Sequence, residues 1–380
     1  MSNGFVPGLA GVIAAQSAIS TIDGDNGILR YRGILIEELA AQSTFEETAY
    51  LLLYGQLPTA DQLSAFDARL RGLRGVPDAL IAILRTLPAA THPMVALQTC
   101  VCALGGFYPH FEVSDQGGND AAVVRLIACF PTIVAAFDRI RKGRAVVSPD
   151  ASLTHAANYL YMLNGERPDE TQTRIIDVAL ILHAEHGFNA STFSTRVVGS
   201  SEANPFSSVA AGVGSLSGPL HGRANEEVLH MLNGIEGGLD GVEAFFNESV
   251  ETKRLIMGLG HRIYKVKDPR AHELQRLARD LFAQHGSTPL YAMAHKLEQL
   301  AAAHPRFGGR GIAPNVDFYS GLVYQKIGME EDLFTPFFAI ARIAGWGAHY
   351  CEQLADNRIF RPTQEYTGVV EARYTPLAAR

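Results

Sequence analysis

From Ile36 onward, nearly every segment of ten or more residues carries its apolar side chains at helical spacing. The pattern is broken at Gly55, Pro58, Pro77, Pro88, Gly143, Pro168, Gly187 and Gly199, so the chain reads as a mostly helical fold. Residues 9 to 32 are the exception: Ser17–Ser20 and Ile28–Tyr31 flank the turn-rich Asp23-Gly-Asp-Asn-Gly27, which predicts a short β-hairpin. With 380 residues, 47% of them hydrophobic and 19% charged, there is material for a large core, and disorder is excluded as the main state. Length alone suggests two or three domains.

Other stretches bound the class of protein. Ala121–Phe137 is the longest apolar run, but Arg125 and Pro131 interrupt it, which predicts a buried pair of helices rather than a membrane span. The polar patch Ser114–Asp120 is expected to be a surface loop, and there is no short-period repeat or coiled coil. The N-terminus lacks the basic start and apolar run of a signal peptide. Cys100, Cys102, Cys129 and Cys351 include no C-x-x-C and sit in apolar surroundings, as reduced core thiols of a cytoplasmic protein would; a zinc site on them is not expected. A net charge of -7 argues against a broad nucleic-acid face.

Chemistry concentrates in Gly258-Leu-Gly260-His261-Arg262-Ile-Tyr264-Lys265-Val-Lys267-Asp268-Pro-Arg270. Between Lys253 and Arg279 stand eight Lys or Arg and only two acids, Asp268 and Glu273, against the sign of the whole chain. That reversal points to a site for phosphates or carboxylates. A solvated basic helix face is the other reading, and Gly258, Gly260 and Pro269 argue against it because they interrupt a helix.

Four further residues each carry two readings. His186 ends the apolar face Ile175, Ala179, Leu182 and is either a core histidine satisfied by a carbonyl or a site residue. A zinc pair of His183 and His186 lacks the required spacing. His221 precedes a helix beginning near Asn225, where the helix dipole would keep the ring neutral and able to donate to a developing enolate; a plain loop histidine is the alternative. Asp317, hemmed in by Val316, Phe318 and Tyr319, suits either a base of raised pKa or a helix cap. Arg342 is the only charge in Phe334–Trp346, so its buried guanidinium must meet a protein carboxylate or a carboxylate ligand. Gly212–Pro219 is a candidate hinge; its glycines do not make a dinucleotide fingerprint, because Ser217 stands at the third glycine position.

Together, His183-Ala-Glu-His186-Gly-Phe-Asn189-Ala-Ser-Thr, Gly218-Pro-Leu-His221-Gly, Gly260-His261-Arg262-x-Tyr264 through Asp268-Pro-Arg270, and Asn315-Val-Asp317-Phe-Tyr-Ser-Gly321 resemble citrate synthase in its short bacterial and archaeal form. The match runs from the hairpin to Arg361-Pro-Thr-Gln-Glu-Tyr-Thr-Gly368. The resemblance implies an all-α homodimer with a large domain, residues 1–221 and 325–380, and a small domain, residues 222–324, closing about the hinge. It implies His221, His261 and Asp317 as the catalytic residues. His186, Arg270 and Arg342, with Arg361 from the partner subunit, would hold oxaloacetate. Lys265, Arg262, Lys267 and the backbone at Gly260 would lie near coenzyme A, whose acetyl thioester is a substrate. No tightly bound cofactor, metal, nucleic acid or membrane is implied.

One departure from the family is visible: Gly222 is followed by Arg223 where a second glycine is usual. Three rivals remain at this stage: a 2-methylcitrate synthase using propionyl-CoA, a non-catalytic binder of coenzyme A or dicarboxylates, and a metal hydrolase.

Overall fold

The computed structural model describes residues 4–108, 111–261, 263–310 and 312–380. Strands β1 (Ser20–Asp23), β2 (Ile28–Tyr31) and β3 (Ile34–Leu35) form an antiparallel sheet in that order, with Ser20 opposite Tyr31 and Tyr31 opposite Ile34. The expected hairpin is therefore present and gains a third strand. Helices α1 (Ile36–Gln42), α2 (Phe45–Tyr54), α3 (Ala60–Gly72), α4 (Asp78–Thr86), α5 (Pro93–Gly105), α6 (Gln116–Arg141), α7 (His155–Asn164) and α8 (Glu170–His183) follow. After them come α9 (Ala190–Ser200), α10 (Pro205–Leu216), α11 (Ala224–Asn233), α12 (Val242–Glu251), α13 (Pro269–His285), α14 (Pro289–Ala303), α15 (Val316–Lys326) and α16 (Phe334–Ala355).

Local chemistry sets many of these boundaries. Side-chain oxygens of Thr44, Thr59, Thr154, Asp169, Asn189, Asn204, Thr288 and Asn315 accept first-turn N–H groups of their helices, satisfying donors that the helix itself cannot. Helices α2 and α7 end on Gly55 (φ 84°) and Gly165 (φ 85°), whose left-handed backbone suits glycine.

Tertiary packing overrides several sequence expectations. The run Ala121–Phe137 is one helix, not two: α6 continues through Pro131, with Leu126 to Asp138 buried throughout. An interior proline costs about 3 kcal/mol, and so many buried apolar side chains outweigh it. This helix is long and apolar enough to cross a membrane, yet 83% of its most apolar window is buried inside the fold. The patch Ser114–Asp120 is only half a loop, because Asp115 caps α6 and helix begins at Gln116. Gly212 and Gly214 lie inside α10, so only the end of the proposed hinge is non-helical. A Cβ at Gly212 would overlap Thr195 and lie 3.2 Å from Trp346, so that glycine serves close helix packing. Helix α8 stops at His183, so His186 lies in the loop beyond the helix rather than at the end of its apolar face. Cys102 is exposed, unlike the buried Cys100 and Cys129.

Helix α16 is buried along most of its length and packs against α2, α6, α8, α9 and α10, while α11 to α15 pack on one another. Contacts of α1 and α8 with α13, and of α11 with α16, join the two groups. Gly347 is where α16 meets α6, and a Cβ there would overlap Val123. Gly347→Ala is expected to destabilise the protein by about 1 to 3 kcal/mol despite better helix propensity. Thermal denaturation checks this, and an unchanged or raised apparent melting temperature would show that the two helices can separate freely.

Candidate active site

A cavity of about 660 Å³ brings together His186, His221, His261, Arg270, Asp317 and Arg342. A larger one, about 810 Å³ and lined by Phe107, Phe111, Arg125 and Phe206 among others, contains none of them. Each residue arrives on a different support. Arg342 projects from the buried middle of α16, Arg270 from the first turn of α13, and Asp317 from the first turn of α15. Asn315 caps α15 and accepts the Asp317 N–H at 2.9 Å, so Asp317 is not the cap. The loop carrying His261 is tied to the turn before Asp317 by an antiparallel contact: Gly260 N–H donates to Ala313 O (2.9 Å) and Asn315 Nδ2 donates to Gly260 O (2.9 Å).

Backbone donors fix the histidine tautomers. His261 Nδ1 accepts the N–H groups of Ile263 (3.0 Å) and Tyr264 (3.2 Å), which puts its proton on Nε2. His221 Nε2 accepts the N–H of Ser191 (3.2 Å) at the start of α9 and lies 2.8 Å from Ser191 Oγ, which puts its proton on Nδ1. Burial and Arg342 lower the His221 pKa to about 4, and burial and Arg270 lower that of His261 to about 4. Both rings are thus neutral donors at neutral pH, as the sequence suggested for His221. The causes are burial and a neighbouring arginine, and the helix end that touches this ring is that of α9. His186 is held well below its usual value by burial, Arg270 and His261, and its Nε2 lies 3.2 Å from Tyr264 Oη rather than against a backbone carbonyl.

The arginines differ. Arg270 presents Nε and Nη2 to Asp268 at 3.1 and 2.8 Å, and this partner, against the cost of burial, raises its pKa. Arg342 has no carboxylate within ion-pair distance among the described residues. Its Nε donates to His183 O at 2.8 Å, its guanidinium stacks 4.8 Å from the Phe338 ring centre, and its buried Nη2 has no partner. Burial pulls its pKa down to about 10, countered chiefly by the field of Glu185. That acid is itself engaged by His349 (3.1 Å) and Ser20 Oγ (2.9 Å). An orphan guanidinium nitrogen at a cavity wall is suited to an anion. Burial raises the half-buried Asp317 to about pKa 6, partly opposed by Arg270.

The expected coenzyme A contacts do not line this cavity. Lys265 is exposed and pairs with Asp25 at 2.6 Å; Lys267 pairs with Glu298 at 2.8 Å. Gly260 (φ 87°) shapes the loop behind His261, and Arg262 lies outside the described residues. Arg361 is exposed in the tail after α16, whose Phe360 N–H donates to Ser200 Oγ at 3.0 Å. Arg223 donates to Glu226 Oε2 at 3.1 Å, so it neither simply faces solvent nor stands in the cavity. Three residues without an assigned role support the site: Ser191, Trp346, whose Nε1 donates to Ser191 Oγ at 3.1 Å, and Tyr264. Ser191 and Tyr264 lie inside the motifs quoted above, which was the available signal; Trp346 gave none.

Among the described residues, no three or more His, Cys, Asp or Glu side chains form a metal-binding group. The geometry offers two neutral hydrogen-bond donors of opposite tautomer, one carboxylate base and two arginines. That set can stabilise an enolate on one side and polarise a carbonyl of an anionic partner on the other.

A raised Asp317 pKa makes a stability claim. The folded value, about 6, exceeds the usual carboxylate value of 3.8, so wild-type stability falls as pH rises through that interval. Asp317→Asn removes this penalty. Its melting temperature is expected to exceed wild type above about pH 6, with the gain shrinking toward about pH 4. A pH-independent difference would contradict the raised value.

The family model described as "Citrate synthase, C-terminal domain" matches residues 8–363. The chain is 50% identical to the citrate synthase of Synechocystis over 376 residues, covering 99% of this chain and 94% of that protein. It superposes on the crystal structure of citrate synthase from Pyrobaculum aerophilum with a TM-score of 0.93 at 40% identity, covering 99% of this chain and 95% of that one. A ternary complex of citrate synthase from Thermoplasma acidophilum with carboxymethyl coenzyme A and oxaloacetate gives a TM-score of 0.93 at 31% identity, covering 99% and 100%.

Proposed function

The chain belongs to the citrate synthase family, and we propose that the cavity among α9, α13, α15 and α16 is where it carries out that family's condensation. The enzyme is an acyltransferase that converts acetyl-CoA, oxaloacetate and water to citrate and free coenzyme A. The relatives are named citrate synthases, so the propionyl-CoA alternative is not favoured.

Asp317 takes a proton from the acetyl methyl group. The charge that this leaves on the thioester oxygen meets the Nδ1–H of His221. The methyl carbon attacks the ketone carbon of oxaloacetate, whose oxygen accepts a hydrogen bond from Nε2–H of His261 as it becomes an alkoxide and is protonated with the one proton that Asp317 gives up again, so that both residues return to their starting states. Hydrolysis of the resulting citryl thioester releases citrate and the thiol. Neutral donors suit this path, because each can give a hydrogen bond without first becoming charged beside a buried arginine. The observation that carries the reading is the buried guanidinium of Arg342, left without a protein carboxylate among the described residues, in the wall of a cavity that also holds two neutral histidines.

His186, Arg270 and Arg342 would hold oxaloacetate, joined by Arg361 of a second subunit in a homodimer. Support for the last is the exposed position of Arg361 beyond the anchored Phe360. Lys265, Arg262, Lys267 and the Gly260 backbone would meet coenzyme A, with Lys265 exchanging Asp25 for a phosphate. Residues 222–324 would form the small domain, in keeping with the mutual packing of α11 to α15. Four free cysteines support a cytoplasmic setting.

Thiol release with oxaloacetate tests the reaction, comparing acetyl-CoA and propionyl-CoA at equal concentration; faster release from propionyl-CoA would overturn the assignment. Asp317 works deprotonated, so kcat/KM should fall about tenfold per pH unit below about pH 6 and stay flat above it. A profile still rising beyond about pH 8 would point to another base. Arg342→Ala should raise the oxaloacetate Kd by roughly thirtyfold or more, equivalent to about 2 kcal/mol. An unchanged Kd in the folded variant would remove Arg342 from the substrate.

A further inference from the structure

The turn between β1 and β2 is stiff in its own right. Asp23 Oδ1 accepts the N–H groups of Asp25 and Asn26, each at 3.1 Å, and its Oδ2 accepts Asn26 Nδ2 at 2.7 Å. The base of this hairpin is fixed beside His186: Ser20 Oγ donates to Glu185 Oε1 (2.9 Å) and accepts the Gly187 N–H (3.2 Å), bracketing the histidine. Its tip is fixed on the other histidine loop. Lys265 N–H donates to Gly24 O at 2.8 Å. Gly24 lies so close to Ile263 that a Cβ would overlap the Ile263 carbonyl oxygen. At Gly27 (φ 68°) a Cβ would stand 2.7 Å from Val266 Cγ2. Nothing in the backbone conformation of Gly24 calls for glycine; the close approach does.

One small, braced element therefore touches the loop of His186 at one end and the loop of His261 at the other, and the two rings stand 5.4 Å apart. We propose that the hairpin tip, Gly24 to Gly27, is a clasp that positions the His261 loop for condensation, with Gly24 as the contact residue. This rests on the reading of the site given above. Under the proposed domain division the clasp bridges the two domains, so it is made only when they are closed. The same backbone hydrogen bond that holds Lys265 also presents its side chain, so seating the loop and seating the thioester become one event. Gly24 acts through His261 and is a positioning residue.

The test compares Gly24→Ala with Gly33→Ala in the intact enzyme. Gly33 (φ 89°) sits at the other end of β2 with no atom within 4 Å of a built Cβ, so alanine strains the hairpin without touching the loop. Gly24→Ala should lower kcat about a hundredfold while the melting temperature stays within about 3 °C. With oxaloacetate bound, amide exchange should quicken only in residues 263–267. Gly33→Ala should lower the melting temperature but keep kcat within about twofold. The clasp is overturned if Gly24→Ala keeps wild-type kcat, or if both variants lose activity in step with stability. Should Gly24→Ala fail to fold, the wild type decides: a Lys265 amide that exchanges as fast as free chain with oxaloacetate bound overturns the clasp, and slow exchange supports it. Absence of thiol release from wild type would instead sink the reading of the site, leaving the exchange result to judge the clasp.

Discussion

Two guanidinium groups, Arg270 and Arg342, are buried at one cavity, and much of the site's chemistry follows from that placement. Positive charge in a low-dielectric wall is costly, and a third cation beside it costs more. Burial of the rings themselves, and then these charges, hold His186, His221 and His261 neutral. Neutral rings must choose a tautomer, and backbone N–H groups at Ser191, Ile263 and Tyr264 make the choice in opposite senses for His221 and His261. The asymmetry between the arginines matters as well. Asp268 balances Arg270 within the protein, whereas Arg342 is held mainly by a carbonyl, an aromatic face and the distant Glu185. In the proposed reading, an arriving carboxylate would complete what the fold leaves incomplete.

Helix α16 makes this tolerable. Arg342 sits mid-helix, and the helix itself is wedged among α2, α6, α8, α9 and α10. The cost is spread over a large apolar interface that closes only because Gly347 and Gly212 let neighbours approach. Rigidity of this kind suits a site whose donors must already point at developing charge.

The sequence revealed helices where punctuation was local. Gly55 ends α2, and the residues flanking Asp23–Gly27 form strands, because capping and turn chemistry act within a few residues. It misled where distant packing decides. Pro131 lies inside α6 since the helix is buried on either side of it, from Leu126 to Asp138, and Gly212 lies in α10 since Thr195 and Trp346 leave room for nothing larger. Asp317 and Arg342 were readable because each stands out against apolar neighbours, whereas Arg270, one cation among many in its loop, was singled out only by the resemblance of its motif. Their partners were not: Trp346 beneath Ser191, and Glu185 behind Arg342, look like ordinary helix and loop residues until the chain folds. The fate of Arg223 was equally hidden, since only the structure sets it against Glu226, which also binds Thr335 of α16.

Two histidines of opposite tautomer face one cavity, kept neutral by burial and, after it, by a buried arginine beside each. Nitrogen NMR of histidine-labelled enzyme reads protonation at each ring atom. The account expects His221 protonated on Nδ1 and His261 on Nε2, with neither ring titrating between about pH 8 and about pH 5. An imidazolium at either position near neutral pH, or the reverse tautomer at His221, would contradict it.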